Sequence, residues 1–114
     1  MVKGSFSGLS PTIDIHIQKR EFRVLIDTGF NGALMLPKSE IKKLKLKNIG
    51  KDNYITASGN QVVTEIYMAE ILWFGRLRKI AVLSTEGQTR LIGMELLFNQ
   101  NILINGFKNK IEIS

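Results

Sequence analysis

The stretch V24-L-I-D27-T28-G29-F30-N-G-A-L-M-L-P37 decides the reading of this chain. Val24-Leu25-Ile26 is an apolar run that stops at Asp27-Thr28-Gly29, and Ala33-Leu34-Met35-Leu36 is a second one that stops at Pro37. Short apolar runs bounded by Gly, Asn and Pro read as buried strands joined by a tight loop. The loop between them carries a carboxylate. Burying a lone charge is unfavourable, so Asp27 needs either water or a special partner. The plainest role for it is an Asx-type turn, with the carboxylate accepting from the backbone N–H groups that follow.

Outward from this stretch, the chain reads as strands. Thr12 to Ile17 alternates, with Ile13, Ile15 and Ile17 on one face and Asp14 and His16 on the other, as a half-buried strand does. Gln18-Lys19-Arg20-Glu21 is a polar turn, which makes Phe22–Ile26 the second arm of a hairpin. His16 is a surface residue on this reading. After Pro37, Ser39 is the expected N-cap of a short helix over 40–46, with Ile41, Leu44 and the stem of Lys45 inward and lysines outside. Asn48–Asp52 reads as a turn. Two β-rich runs, Tyr54–Ala57 and Gln61–Tyr67, flank Ser58-Gly59-Asn60 and form a second hairpin whose tip projects into water. Ile66–Phe74 continues as a long strand, Gly75-Arg76-Leu77 turns it into Arg78–Leu83, and Trp73-Phe74 is packing rather than a ligand platform. Ser84–Arg90 is a polar loop. Leu91-Ile92-Gly93 then opens a short helix with Met94, Leu97 and Phe98 at helical spacing, and Ile102–Ile104 with Lys110–Ile113 closes the chain as a terminal hairpin. Strands dominate, and there is no β-α-β alternation. An all-β domain follows, closed or sandwich-like, with one or two short helices.

Composition narrows the chemistry. At 114 residues the expectation is one domain spanning 1–114, long enough to bury roughly 65% of its unfolded surface. The absence of cysteine removes disulfides and thiolate metal sites, and the single histidine, His16, removes His-cluster zinc sites and disfavours a Ser-His-Asp triad. No metal or organic cofactor is expected. No signal-like apolar segment follows Met1, and no run approaches the ~18 apolar residues of a membrane span, so a cytoplasmic protein is expected. The net charge of +6 raises the question of nucleic acid. Its excess sits largely in Lys38, Lys42, Lys43, Lys45, Lys47 and Lys51, a pattern that is more often a solvated face. The interleaved aromatics of a stacking surface are missing too, since only Tyr54, Tyr67 and Trp73 are available. A nucleic-acid partner is disfavoured.

Asp-Thr-Gly is a weak signal by itself. Two strands around it and a later Leu91-Ile92-Gly93-Met94-Glu95-Leu96-Leu97 make a more specific pair. Together they resemble the retropepsin-like aspartic peptidases, single-domain relatives of pepsin, and look most like the small prokaryotic members. The likeness runs in order from about Ile13 to Ile113, and the hairpin around Gly59 lies where that family carries its flap. It implies a closed β-barrel or sandwich with a flap hairpin, an aspartic endopeptidase, and catalytic Asp27, Thr28 and Gly29. It also implies substrate contacts from Phe30, Ala57, Ser58, Gly59, Asn60 and Ile92. Departures exist: Phe30-Asn31-Gly32 stands where viral members usually carry alanine and acidic residues, and Glu95 replaces the more common Asp or Asn.

Carboxylate-driven peptide hydrolysis needs one group to take a proton from water and another to give one to the carbonyl. Two carboxylates about 3–4 Å apart repel by roughly 4 kcal/mol at an effective dielectric near 20, so the pair shares one proton, and the aspartic-protease dyad is itself the standard instance. This chain has one Asp-Thr-Gly. The resemblance therefore implies a homodimer with Asp27 of each copy on the two-fold axis, Thr28 bonding across it, and a peptide or protein substrate under the flap. The alternative on the same fold is a dimeric peptide- or protein-binding module with weak or lost catalysis.

Overall fold

The computed structural model describes residues 1–114, the side chain of Tyr54 excepted, so one of the three aromatics available for stacking lies outside the described residues. The chain runs β1 (Val2–Ser7), β2 (Ser10–Ile17), β3 (Arg20–Ile26), β4 (Leu34–Pro37), α1 (Lys38–Leu44), β5 (Lys47–Ile55), β6 (Gln61–Trp73), β7 (Arg76–Thr85), β8 (Leu91–Ile92), α2 (Met94–Leu97), β9 (Ile102–Asn105) and β10 (Lys110–Ile113).

The strands pair in the order β5-β6-β7-β4-β8-β3-β2-β1-β10-β9, and β6 also pairs with β2. That extra pairing closes β2, β3, β8, β4, β7 and β6 into a ring, with β5 on one flank and β1-β10-β9 on the other. The ring closes because β2 and β6 each divide an edge. β2 pairs with β1 through Ser10–Ile13 and with β6 at His16 and Ile17; β6 pairs with β5 through Met68 and with β2 at Ile71 and Leu72. Pairing is antiparallel except for β3 with β8 and β4 with β7. The retropepsin-like all-β expectation holds in this form, a ring of strands with two short helices.

Period-2 patterning explains the interior. Ile13, Ile15 and Ile17 are buried while Asp14 and His16 face out, and His16 lies 3.7 Å from Glu21 on the surface. One apolar cluster joins these to Val24, Leu34, Leu36, Ile71, Val82, Ile92, Leu96 and Ile111. Each fully buried Ile or Leu contributes about 1.5–3 kcal/mol. The exposed ion pairs contribute at most about 1 kcal/mol each, so burial holds the ring together.

Several local expectations are corrected. The strand β1 was not foreseen; it lies between β2 and β10, where Gly4 permits close approach: a Cβ there would stand 2.2 Å from the Thr12 carbonyl oxygen. Residues 48–52 are strand, not turn, because β6 templates β5 along its length, with an irregularity between Asn48 and Gly50. The helix α1 begins at Lys38 with Pro37 as N-cap, and no side chain caps it. Lys45 takes a left-handed conformation that ends it, so its stem lies outside, while Ile41 and Leu44 are buried. The β6–β7 turn is Phe74-Gly75, both with positive φ (52° and 74°), the pattern of a tight two-residue hairpin. Trp73 is buried, and Phe74 meets its ring edge-on at 5.0 Å from the turn. The expected Ser84–Arg90 loop starts later, since β7 continues to Thr85. In α2, Leu96 and Leu97 are buried but Phe98 is exposed. Among the described residues no helix is long and apolar enough to cross a membrane.

Candidate active site

Two segments distant in sequence build the site. Strand β8 inserts between β3, to which it is parallel (Leu25↔Leu91, Ile26↔Ile92), and β4, to which it is antiparallel (Leu34↔Ile92). This insertion brings the end of β8 against the loop after β3. The Asp27 N–H donates to the Ile92 carbonyl at 3.0 Å and the Gly93 N–H to that of Ala33 at 3.1 Å. Past Gly93, the Met94 N–H donates to the Phe30 carbonyl at 2.7 Å and the Glu95 N–H to that of Gly32 at 3.3 Å. The loop 27–33 is thus held by the backbone of 92–95.

Gly93 makes the approach possible. A Cβ at that position would lie 2.3 Å from the Gly32 carbonyl oxygen and 2.5 Å from both the Phe30 carbonyl oxygen and its ring. At Gly32 a Cβ would meet the Phe30 ring at 2.5 Å. Phe30 folds over Gly32 and joins Met35 and Leu83 in a second, smaller apolar cluster, backed by Ile66 and Leu91.

Within the loop, the Gly29 N–H donates to Asp27 Oδ1 at 2.9 Å and the Phe30 N–H to the Asp27 carbonyl at 3.2 Å. The Asx turn is therefore real, and it fixes the carboxylate rather than consuming it. Asp27 remains half-buried and lines a cleft of about 930 Å³. The β5–β6 hairpin forms another wall, through Asp52, Asn53, Ile55, Thr56, Ala57 and Gln61. Its tip is closed by the Thr56 N–H donating to the Asn60 carbonyl at 2.9 Å and the Gly59 N–H to that of Thr56 at 2.9 Å, with Gly59 at φ +85°. Such positive φ favours glycine.

Of the residues singled out in the sequence, Asp27, Gly29, Phe30 and Ala57 meet at the cleft. Thr28 is exposed beside it without lining it, and Ser58, Gly59 and Asn60 form the exposed hairpin tip. Ile92 is fully buried in the ring; its neighbour Leu91 reaches the cleft, because adjacent strand residues point to opposite faces. Among the lining residues missed are Met35, Asp52, Leu83, Leu91 and Glu95. For Leu91 the parity of the short strand carries the signal; for Met35 and Leu83 only the parallel β4–β7 pairing (Met35↔Leu83) brings them together. Among the described residues, no three Asp, Glu or His side chains come close enough to hold a metal ion.

A closed ring of strands, with the Asp-Thr-Gly loop at a cleft walled by a hairpin, is the retropepsin-like class of aspartic protease folds. The sequence model of the aspartyl protease family matches residues 13–96, and the chain belongs to that family. No curated protein matches it. Among solved structures it resembles a retropepsin-like aspartic protease from Rickettsia conorii, at 19% identity and TM-score 0.69 over 97% of this chain and 86% of that one. It also resembles the EIAV protease in complex with the inhibitor HBY-793, at 23% identity and TM-score 0.67 over 81% and 90%. The simian foamy virus protease is similar at 15% identity and TM-score 0.57 over 75% and 90%.

Proposed function

We propose that the protein is an aspartic endopeptidase that acts as a homodimer, with the Asp27 carboxylates of two copies forming the catalytic pair. The observation that carries this is the placement of Asp27: fixed by its own turn, half-buried, and open to a cleft large enough for a peptide. One carboxylate takes a proton from water as the oxygen attacks the scissile carbonyl, while the other, protonated, gives its proton to the carbonyl oxygen. The tetrahedral diol then collapses, and the departing amine leaves with a proton returned from the pair.

The same chain supplies the surfaces such a dimer would use. Thr28 and Gly29 are exposed at the loop, so a second loop has access to them. Strand β9 ends the sheet with an unpaired edge, and Leu103, Ile104 and Phe107 are exposed on or just after it. An open apolar edge of that kind is a template for another chain. In the dimer the β5–β6 hairpin acts as a flap, its exposed tip closing over substrate and excluding water.

The test is cleavage of a mixed peptide library between about pH 3 and 7, the window of an acidic carboxylate pair. Cleavage is expected to be blocked by pepstatin and lost in Asp27→Asn, and sedimentation equilibrium is expected to show a dimer. Cleavage that survives Asp27→Asn, or a strictly monomeric active protein, overturns the proposal.

A further inference from the structure

The chain carries sixteen lysines and arginines against ten acids, yet among the described residues no lysine, arginine or histidine lines the cleft, whereas three carboxylates do: Asp27, Asp52 and Glu95. Elsewhere, four acids are matched by lysine or arginine, and a fifth lies beside the single histidine. Asp14 pairs with Arg23, Glu21 with His16, Glu40 with Arg90, Glu86 with Lys38 and Glu112 with Lys110. Of the five carboxylates outside these pairs, three are the cleft residues, and a fourth, Glu65, accepts from Asn48 and Tyr67. The described lining of the cleft is thus acidic in a chain whose net charge is +6.

Of the two carboxylates besides Asp27, that of Asp52 is held by a backbone N–H, while Glu95 is fixed through its main chain alone. Asp52 sits opposite Thr64 in the β5–β6 register, on the face of β6 whose Thr64 is buried, and its Oδ1 accepts the Asn53 N–H at 2.7 Å. Glu95 stands in the first turn of α2, with its N–H tied to the Gly32 carbonyl. One wall of the cleft and its floor therefore each present an anion to anything lying between them. Phe30, Met35, Leu83 and Leu91 give the same cleft an apolar part to its lining.

We infer that the cleft selects cationic peptides: apolar side chains at the scissile bond, with lysine or arginine at flanking positions, read by Asp52 and Glu95. This deepens the peptidase reading and rests on it. A two-fold dimer repeats both carboxylates on the other side of the scissile bond, so basic residues are favoured on both flanks. Each partly exposed ion pair is worth up to about a fivefold change in specificity, and the preference weakens as salt shortens the screening length.

The experiment compares matched peptides with one apolar scissile pair and Lys, Gln or Glu at the flanking positions, at about pH 5.5, above the ordinary carboxylate range. Two readouts are used: kcat/KM with the wild-type protein, and fluorescence-anisotropy binding to Asp27→Asn protein, which needs no turnover. The expected order is Lys over Gln over Glu in both. The Lys-to-Glu ratio should fall about fivefold in Glu95→Gln and in Asp52→Asn, further in the double variant, and not in the distant control Glu21→Gln. Asp27-dependent cleavage with no preference for Lys overturns the inference and leaves the peptidase reading standing. Absence of cleavage with tight, Glu95-dependent binding of the Lys peptides overturns the peptidase reading, and with it the scissile-bond part of the inference, and leaves only the cleft's preference for cationic peptides. Equal binding of all peptides overturns the inference whatever the catalytic result.

Discussion

Replacing Gly93 with alanine tests the central structural claim, that the end of β8 and the Asp27 loop are locked by backbone contact. The added methyl meets two carbonyl oxygens at 2.3 and 2.5 Å, and neither is the far end of a flexible side chain. One of them, Phe30 O, accepts from Met94 and the other, Gly32 O, from Glu95, so relieving the clash disturbs both bonds and the adjacent Gly93–Ala33 bond. Overpacking costs about 1–3 kcal/mol, and each displaced hydrogen bond about 1 kcal/mol. The sum, about 4–6 kcal/mol, is a large part of the roughly 5–15 kcal/mol that a domain of this size has in total. Urea unfolding followed through Trp73 gives the assay, since it is the only tryptophan and is buried at 4% exposure. Protein concentration is held fixed because association would shift the midpoint. A loss below about 1 kcal/mol with an unchanged m-value would refute the reasoning, because the loops would then have room to separate without consequence.

Other expectations follow from specific contacts. Arg90 donates from Nε to both carboxylate oxygens of Glu40 at 2.7 and 2.9 Å and also reaches the Arg23 carbonyl, tying α1 and β3 to the segment leading into β8. Arg90→Lys loses the planar fork, and a destabilisation of about 1 kcal/mol is expected by the same urea assay, Arg90 being about a third exposed. Burial, and then the hydrogen bond to Glu65, raise the Tyr67 hydroxyl above its ordinary range. A raised folded-state pKa favours the protonated form, so this stabilisation is complete below about pH 10 and disappears as the pH rises through the folded value. Stability measured from pH 9 to 11 should therefore fall less steeply in Tyr67→Phe than in the wild type; identical alkaline limbs would count against the assignment.

What the residues disclosed before any coordinates depended on how local their signal was. The hairpin of β2 and β3 was readable because Ile13, Ile15 and Ile17 alternate with polar residues and a polar turn follows. The Asp-Thr-Gly loop was readable because apolar runs flank it. β1 was not, since Val2-Lys3-Gly4-Ser5-Phe6-Ser7 buries no residue fully and owes its strand state to β2 and β10. Residues 48–52, rich in Asn, Gly, Lys and Asp, have poor strand propensity, and tertiary pairing overrides it. At the site, resemblance supplied Ile92 as a substrate contact; strand parity says that only one of Leu91 and Ile92 can face the cleft, and the β3–β8 pairing makes it Leu91. Asp52 and Glu95 were invisible as cleft residues because nothing local joins a hairpin arm to a helix far along the chain.

Strand β6 shows why the cleft can be both precise and open. Its pairing with β7 begins at Ile66, and its second half closes the ring on β2, so that half is held on both edges. From Gln61 to Glu65 it pairs with β5 alone. The boundary is marked by Thr64, whose hydroxyl donates to the Ser84 carbonyl at 2.8 Å and contacts its hydroxyl at 3.0 Å, both residues being buried. An isolated two-stranded hairpin is marginally stable in water, so the segment beyond Thr64 has little to hold it but its own ladder. The Asp27 loop, in contrast, is tied to 92–95 by backbone bonds inside the ring. A floor tied by many bonds and a wall tied by few thus come from one topological fact: a single long strand belongs to the closed ring for half its length and leaves it for the other half.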